Sequence, residues 1–387
     1  MEYSDYSYSY SYFSSSDSNQ TWPESPPEQR IEAVLVPVVF GIITVVGLVG
    51  NGCVVVVIAR NRAMRTVTNF FIMNNAITDM VFVLICAPIT ASQFVLTSWI
   101  YGDFVCKLVA FMQYVSVQAS CSTIMAMTID RYMVVLYPMR SLHTRTIRRT
   151  TFINIIIWIT SFLLHTPVAV FYETARVRSK GPAFCANRFV TVEAKKGYEM
   201  YAVSVMYLLP FAVMTFCYMR ILRTVWSRYL IVSTSTQAQR RRRWKITRMT
   251  LLVVVLFGVC WGPIHAVHLV TLFQPQQVQT EGGRLFRDFS VFCLCLAYSN
   301  SAVNPFVYAF SGRSYRTLLA ACLRGRRAGQ AVPNPVGSTR TRAGSAQYNS
   351  MEMNNLMRTV QNGKPSRSKY THYYLGGGRH IVRAAPE

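Results

Sequence analysis

The sequence predicts an all-α integral membrane protein, built as a bundle of seven transmembrane helices. Three observations carry this prediction: seven long apolar stretches, a basic charge on one side of them, and single polar residues inside them. A hydrocarbon core of about 30 Å needs roughly 20 helical residues, whereas helices of soluble proteins are usually shorter and apolar on one face. The stretches are Ala33–Ala59, Phe70–Thr90, Val105–Tyr137, Phe152–Phe171, Tyr198–Ile221, Ile246–Phe273 and Phe289–Phe310.

The positive charge of the chain indicates how these spans are oriented. The formal net charge is +24, and most Lys and Arg residues lie in the odd-numbered loops and in the C-terminal tail. Basic loops remain in the cytoplasm, so we expect the N-terminus outside and the C-terminus inside. The run Arg240–Arg243 then faces anionic membrane lipid, and binding to nucleic acid is not expected.

Two tails flank the spans, which divides the chain into an extracellular disordered tail (1–30), the bundle (31–324) and a cytoplasmic disordered tail (325–387). The first tail is rich in Tyr and Ser, lacks a cleavable signal pattern and carries a glycosylation sequon at Asn19. We therefore expect the first span to be a signal anchor. Candidate kinase and arrestin sites in the second tail, with an unmodified linker as the alternative, are Ser338, Thr339, Thr341 and Ser345.

Three of the ten cysteines lie outside the apolar interior of the spans. Cys106 opens the third span and Cys185 lies in the loop after the fourth, both on the predicted outer side. Because that side is oxidising, we predict a Cys106–Cys185 disulfide, which the chain-entropy model credits with roughly 4–5 kcal/mol. Cys322 lies just past the seventh span among basic residues, which makes it a candidate for palmitoylation.

Polar side chains recur inside the spans at helical spacing. Asp79 lies midway along the second span and Asn51 lies in the first, while the third and seventh spans each carry a polar stripe. Ionisable groups in a membrane are costly, on the order of 3 kcal/mol at mid-span, and they usually face the interior of the protein. The sequence leaves two alternatives open: an oxygen-lined sodium site, or an interhelical hydrogen-bond network without an ion. The stripes are Gln113, Ser116, Ser120, Thr123 and Asp130, then Asn300, Ser301 and Asn304.

Taken in order, the motifs resemble the rhodopsin-like (class A) G-protein-coupled receptors, over about Leu35 to Leu323. The resemblance implies seven spans followed by a short amphipathic eighth helix from Arg313. The motifs, one set to a span, are Gly50-Asn51, Asp79, Cys106 with Asp130-Arg131-Tyr132, Trp158, Pro210 with Tyr218, Cys260-Trp261-Gly262-Pro263 and Asn304-Pro305-Phe306-Val307-Tyr308.

Four further segments resemble the kisspeptin receptors, with galanin and allatostatin receptors as near relatives. They are Met64–Phe70, Gly102–Lys107, Ser116–Cys121 and Tyr298–Pro305. This resemblance implies a plasma-membrane receptor for an amidated peptide ending in Arg-Phe-amide, coupled through Gq-type G proteins to phospholipase C and calcium. A galanin-type or allatostatin-type peptide is the alternative ligand.

The resemblance also implies a ligand cavity open to the outside. Gln113 stands where amine receptors carry an Asp, and Phe289–Phe310 has no Lys for retinal, so a peptide ligand is favoured. We expect Glu199 to meet a guanidinium of the ligand, with a solvated rim position as the alternative. The expected floor is Trp261, and the expected walls are Gln113, Tyr201, His265, His268 and Tyr298.

Activation, by the same resemblance, moves the sixth span and releases Arg131 from Asp130 towards the G protein. Met139 offers an apolar contact, and Arg243 stands where some relatives carry an acid that locks Arg131, so we expect a weakly restrained resting state. The residues implied in coupling are Asp130, Arg131, Tyr132, Met139, Tyr218, Asn304, Pro305 and Tyr308. The residues implied for a sodium ion are Asp79, Ser120, Asn300 and Ser301.

Two other functional classes fit the sequence less well. Transporters tend to show inverted repeats and pairs of broken helices, and no such repeat is visible. An intramembrane enzyme would need a Ser/Lys, paired-Asp or zinc-protease constellation at span depth, and the spans carry none. No enzymatic activity and no cofactor other than sodium is therefore expected.

Overall fold

The computed structural model describes residues 27–176, 181–231, 237–274 and 283–311. Seven helices in this part of the chain have the length and composition to cross a membrane, which confirms the predicted fold class. The predictions at Asn19, at Cys322, for the eighth helix and for both disordered tails lie outside the described residues. The helices are Pro27–Arg60, Val67–Ser92, Gly102–Leu136, Ile147–Leu164 with Thr166–Phe171, Val192–Val203 with Leu209–Ile231, Gln237–Phe273 and Gly283–Ser311.

Threonine residues define the starts of three spans. The Thr66 hydroxyl accepts a hydrogen bond from the Asn69 backbone N–H at 3.3 Å, and Thr146 caps the fourth span in the same way. Thr191 caps the fifth span through the Ala194 N–H at 3.0 Å. These side chains satisfy donors that a helix N-terminus leaves unpaired, so the caps set where each helix begins.

Prolines distort two of the spans. The fourth is interrupted at His165 (φ −107°, ψ 10°), two residues before Pro167. The fifth contains a π-helical turn, Ser204–Leu208, in which the Leu209 N–H reaches the Ser204 carbonyl five residues back. Pro210 follows at once and has no N–H of its own to donate, so the wider turn precedes a missing helix bond.

A β-hairpin covers the outer end of the third span. Strand β1 (Tyr172–Arg176) pairs antiparallel with β2 (Ala183–Asn187), so that Thr174 faces Cys185. Cys185 is bonded to Cys106 with a Cα–Cα distance of 5.4 Å, which confirms the predicted disulfide. The sequence did not predict the strands, and the disulfide holds them against the third span.

The spans pack closely against one another on their inner faces and expose large apolar side chains on their outer faces. A Cβ atom on Gly50 would lie 2.9 Å from Pro305, so glycine lets the first and seventh spans approach. Large apolar side chains point outwards elsewhere, for example Val45 (62% exposed) and Phe216 (60% exposed). Such a surface suits hydrocarbon rather than water, and the polar residues are gathered inside.

Candidate functional site

The outer half of the bundle contains a half-buried carboxylate among aromatic rings. Glu199, in the fifth span, accepts a hydrogen bond from the Tyr114 hydroxyl of the third span at 3.2 Å. Lys195, one turn earlier in the same helix, attracts the carboxylate at longer range. We call Tyr114, His165, Tyr172, Tyr198 and Glu199 the Glu199 cluster.

Three further members of the Glu199 cluster come from three elements: His165 from the fourth span, Tyr172 from strand β1 and Tyr198 from the fifth span. The His165 Nδ1 atom lies 3.0 Å from the Tyr198 hydroxyl, and the Tyr114 ring lies 5.5 Å from the imidazole. Burial, reinforced by the negative charge of Glu199, raises the pKa of Tyr172 to about 12. Tyr172 is a neutral phenol at physiological pH with or without this shift, so Glu199 is the acidic group of the cluster.

Below the cluster, the sixth span contributes a second group of rings. The His265 ring lies 6.2 Å from both Trp261 and His268, and 5.1 Å from Tyr207. Both ring nitrogens of His265 and Nε1 of Trp261 are buried without a hydrogen-bond partner among the described residues. Buried polar atoms without partners are unfavourable, so these atoms are suited to a polar ligand group.

The structure separates Tyr298 from the other predicted wall residues. Its hydroxyl lies 2.8 Å from that of Thr90, and only 1% of the residue is exposed. Phe82 lies between Tyr298 and Trp261, because its ring centroid is 4.5 Å from that of Tyr298 and 6.1 Å from that of Trp261. Tyr298 thus packs towards the first and second spans, and it reaches the group around Trp261 only through Phe82. Of the remaining two, Gln113 is half-buried in the third span, and the Tyr201 ring lies 5.9 Å from Tyr198.

Sequence reasoning missed most of the Glu199 cluster. Tyr114 adjoins the predicted Gln113, but adjacent helical positions point about 100° apart around the axis, so the prediction at Gln113 did not identify its neighbour. Tyr172 and His165 carried no signal either. Tyr172 reaches Tyr114 through the hairpin, and His165 lies where the fourth span is interrupted.

At mid-membrane, Asp79 is the centre of a hydrogen-bond network. Its Oδ1 accepts from Ser301 at 2.9 Å, and its Oδ2 accepts from Asn75 at 2.9 Å and Asn304 at 2.8 Å. Ser120 donates to the Asn75 side-chain oxygen at 3.1 Å. Asn75 therefore stands between Ser120 and Asp79, and three protein donors satisfy the carboxylate.

This geometry bears on the predicted sodium site. The oxygens of Asp79 and Ser301 have the chemistry that a hard cation prefers, and Asn300 is buried in the same span. The amide of Asn75, however, presents a donor to the carboxylate, and a donor opposes a cation at that position. As arranged, the residues form the hydrogen-bond network and fit the ion poorly.

The network extends to the first span and, along the seventh span, to Tyr308. Asn51 donates to the Ser301 carbonyl at 2.8 Å, and Asn75 also donates to the Tyr308 hydroxyl at 3.3 Å. Tyr308 is 1% exposed. Hydrogen bonds thus link the first, second, third and seventh spans in one buried polar network. Such a network couples the positions of the helices that share it.

At the end of the third span that carries Asp130, this acid pairs with Arg145 rather than with its neighbour Arg131. Arg145 donates from Nε to Asp130 Oδ1 at 2.7 Å and from a terminal nitrogen to Oδ2 at 3.0 Å. Arg131 instead donates to the Thr68 hydroxyl. The expectation that Arg131 begins on Asp130 is therefore not met, because a residue of the connection between the third and fourth spans occupies the acid.

The other predicted coupling residues lie in different environments. Met139 is 70% exposed on the helix Pro138–Thr144, whereas Tyr218 is buried at 4% exposure. The Tyr132 ring lies 6.1 Å from that of Tyr137. Pro305 of the seventh span packs on Gly50 of the first span. The side chain of Arg243 lies outside the described part of the chain. An exposed apolar residue beside a buried polar group provides two kinds of contact for a protein partner.

Comparison with known proteins yields a family match and several similar receptors. Residues 50–308 match the family model for the 7 transmembrane receptor (rhodopsin family). The chain is 38% identical to G-protein coupled receptor 54 of Oreochromis niloticus over 74% of the chain and 77% of the relative. It is 37% identical to the human KiSS-1 receptor (75% of each) and 34% identical to human galanin receptor type 1 (78% and 87%).

Proposed function

The chain belongs to the rhodopsin family of seven-transmembrane receptors, and from that membership we propose that it is a plasma-membrane receptor for an extracellular peptide. It is a multi-pass membrane protein, and its family consists of receptors rather than enzymes. The Cys106–Cys185 disulfide supports an N-terminus outside, because it places the end of the third span that carries Cys106 in an oxidising compartment.

The proposed ligand is an amidated peptide of the kisspeptin type, ending in Arg-Phe-amide. Relatives named KiSS-1 receptor, 37% identical over three quarters of the chain, support this class. A peptide of that kind brings a guanidinium and an aromatic ring, and the outer half of the bundle offers a carboxylate and several aromatic rings. A guanidinium stacks on aromatic faces and pairs with carboxylates in fork geometry.

The observation that carries this assignment is the environment of Glu199. Its hydrogen bond comes from the neutral hydroxyl of Tyr114, and the carboxylate retains lone pairs for further donors. A buried charge is strongly stabilised by a partner of opposite sign. An arginine of the ligand is such a partner, and the nearby rings would shield the pair from water.

The proposed signalling partner is a heterotrimeric G protein of the Gq type, with arrestin as a later partner. Peptide binding favours a state in which the inner end of the sixth span moves outwards, since a ligand shifts populations towards the state it binds better. Arg131 and the exposed Met139 then contact the G protein. In this proposal Tyr218 and Tyr308 close beneath Arg131.

A galanin-type peptide is the second candidate, favoured by the 34% identity to galanin receptor type 1. The two candidates differ in a way that the structure makes testable. A ligand that lacks a guanidinium gains nothing from the charge of Glu199, whereas an Arg-Phe-amide ligand depends on it.

The deciding experiment is a calcium-mobilisation screen in cells that express the chain, with a Gq inhibitor as the coupling control. The panel contains amidated Arg-Phe peptides, their free-acid forms, galanin-like and allatostatin-like peptides, and a blank. We expect responses to the amidated Arg-Phe peptides that the inhibitor abolishes. A response confined to galanin-like or allatostatin-like peptides would overturn the ligand class, and a response that survives the inhibitor would overturn Gq.

A further inference from the structure

We propose that Arg145 is a positioning residue that keeps Arg131 available to the G protein by occupying the Asp130 carboxylate. The inference rests on the proposed function, because it concerns the step in which Arg131 meets the partner. It adds a residue of the second intracellular loop, Arg145, to those that control this step.

The first support is the geometry of the ion pair. Arg145 uses Nε and a terminal nitrogen on the two oxygens of Asp130, at 2.7 and 3.0 Å. The Asp130 side chain is 9% exposed and that of Arg145 is 29% exposed, so the pair is mostly shielded from water. A fork of two parallel bonds is the strongest arrangement open to arginine and carboxylate, and it engages both oxygens of the acid.

The second support is the position of Arg131. It is 7% exposed and donates to the hydroxyl of Thr68, at the cytoplasmic end of the second span. A terminal nitrogen of Arg145 donates to the same oxygen at 3.1 Å. Two cationic groups on one neutral oxygen repel each other, so Arg131 is held more weakly than it would be by a carboxylate.

These contacts describe a competition between two arginines for one acid. While Arg145 holds Asp130, Arg131 has a neutral acceptor and can leave it at small cost. Once Arg145 is removed, the nearest carboxylate to Arg131 becomes unpaired in a half-buried site, which favours capture of Arg131. Capture restrains the arginine that the G protein requires.

Arg145 also closes the helix that carries Met139. Its backbone N–H donates to the Ser141 carbonyl at 3.1 Å, at the C-terminal end of Pro138–Thr144. A substituted residue keeps that backbone bond, but it loses the ion pair that ties the end of this helix to Asp130 of the third span, and this loss could weaken coupling in a second way. The experiment must separate competition for Asp130 from simple anchoring of the loop.

The test uses the full receptor in lipid nanodiscs and measures nucleotide exchange on purified Gq without ligand, so that it does not depend on the peptide. We expect Arg145→Gln to lower the exchange rate about fivefold and Arg145→Lys to restore part of it. Arg148→Gln is the matched control, because it removes an exposed positive charge a few residues away and should leave the rate unchanged.

The Asp130→Asn variant separates the two explanations. It releases Arg145 and the loop but leaves no carboxylate to capture Arg131, so competition predicts a rate at least as high as that of the wild type. The double variant with Arg145→Gln should then behave like Asp130→Asn alone. If Asp130→Asn lowers the rate as much as Arg145→Gln does, anchoring explains the effect and the proposal is wrong.

A structure of the Arg145→Gln variant gives a readout that needs no G protein. We expect the Asp130 carboxylate to accept hydrogen bonds from Arg131 in that structure, and a carboxylate that stays turned away would overturn the inference. If the wild-type receptor activates no class of G protein, the proposed function fails. The variant structure still decides the competition for Asp130.

Discussion

Glu199 and Asp130 are half-buried carboxylates at opposite ends of the bundle, and the protein surrounds them differently. Glu199 accepts a hydrogen bond from the neutral hydroxyl of Tyr114 and lies among aromatic rings. Asp130 is neutralised by a two-bond pair with Arg145. In the proposed function, the cation that pairs with Glu199 comes from the ligand, whereas the cation that pairs with Asp130 is already part of the chain.

The difference indicates what each end controls. In the proposed function, the ligand supplies the partner of Glu199, and the hydrogen bonds that the acid can still accept contribute to affinity. At the other end, Arg145 occupies Asp130, and the proposed consequence falls on the neighbouring arginine, Arg131. Proposed binding and proposed coupling then depend on the same chemistry, with the positive charge supplied by different molecules.

The largest expected effect is on ligand affinity at Glu199. Glu199→Gln should weaken an Arg-Phe-amide peptide by about 100-fold, since loss of one partner of a buried charge pair costs about 2–5 kcal/mol. The measurement is competition binding with the peptide and with its citrulline analogue, which lacks the charge. Glu193→Gln, an exposed position nearby, is the control. Equal losses for both peptides would show that Glu199 does not meet the guanidinium.

Removal of the Asp130 carboxylate should affect stability rather than binding. Asp130→Asn leaves the guanidinium of Arg145 without its carboxylate, and we expect a loss of about 1–2 kcal/mol because the pair is partly screened by solvent. The thermal midpoint of the purified receptor should fall by a few degrees, about 3 °C. Peptide affinity should remain within about twofold. An unchanged midpoint would place the Asp130–Arg145 pair among exposed ion pairs of negligible strength.

Between the two ends, Asn75 is expected to decide the response to sodium. Asn75→Leu removes the donor that faces Asp79, so Na⁺ should raise the thermal midpoint of this variant by about 2–3 °C relative to K⁺ at equal ionic strength. The wild type should show a smaller difference, and Asp79→Asn should show none. A wild type already stabilised strongly by Na⁺ would mean that the ion displaces the Asn75 amide.

The smallest expected effect concerns the hydroxyl on Glu199. Tyr114→Phe removes the donor and leaves the carboxylate less satisfied before the peptide arrives, so the affinity for an Arg-Phe-amide peptide should rise about threefold. Tyr137→Phe, which removes a hydroxyl from an exposed tyrosine at the opposite end of the third span, serves as the control, and isothermal or radioligand binding gives the constants. A weaker affinity would mean that the hydroxyl helps to hold the ligand.

The sequence by itself determined the seven spans, the cysteine pair and the family of the receptor, and it predicted an orientation for the spans. Span length and the side on which charge lies are one-dimensional properties, because they depend on the thickness of the membrane and on the order of residues. The two cysteines could be paired from their side of the membrane alone. For the same reason Asp79 was recognised as an interior residue before any of its partners was known.

Only the tertiary structure decided which side chains meet. Arg145 reaches Asp130 from a loop, Tyr172 reaches Tyr114 from a hairpin, and Asn75 separates Ser120 from Asp79. Tyr298, expected in the ligand cavity, turns towards Thr90 instead. These outcomes depend on how far each helix is rotated about its axis and on the path of the loops, and a rotation of one residue, about 100°, changes every partner.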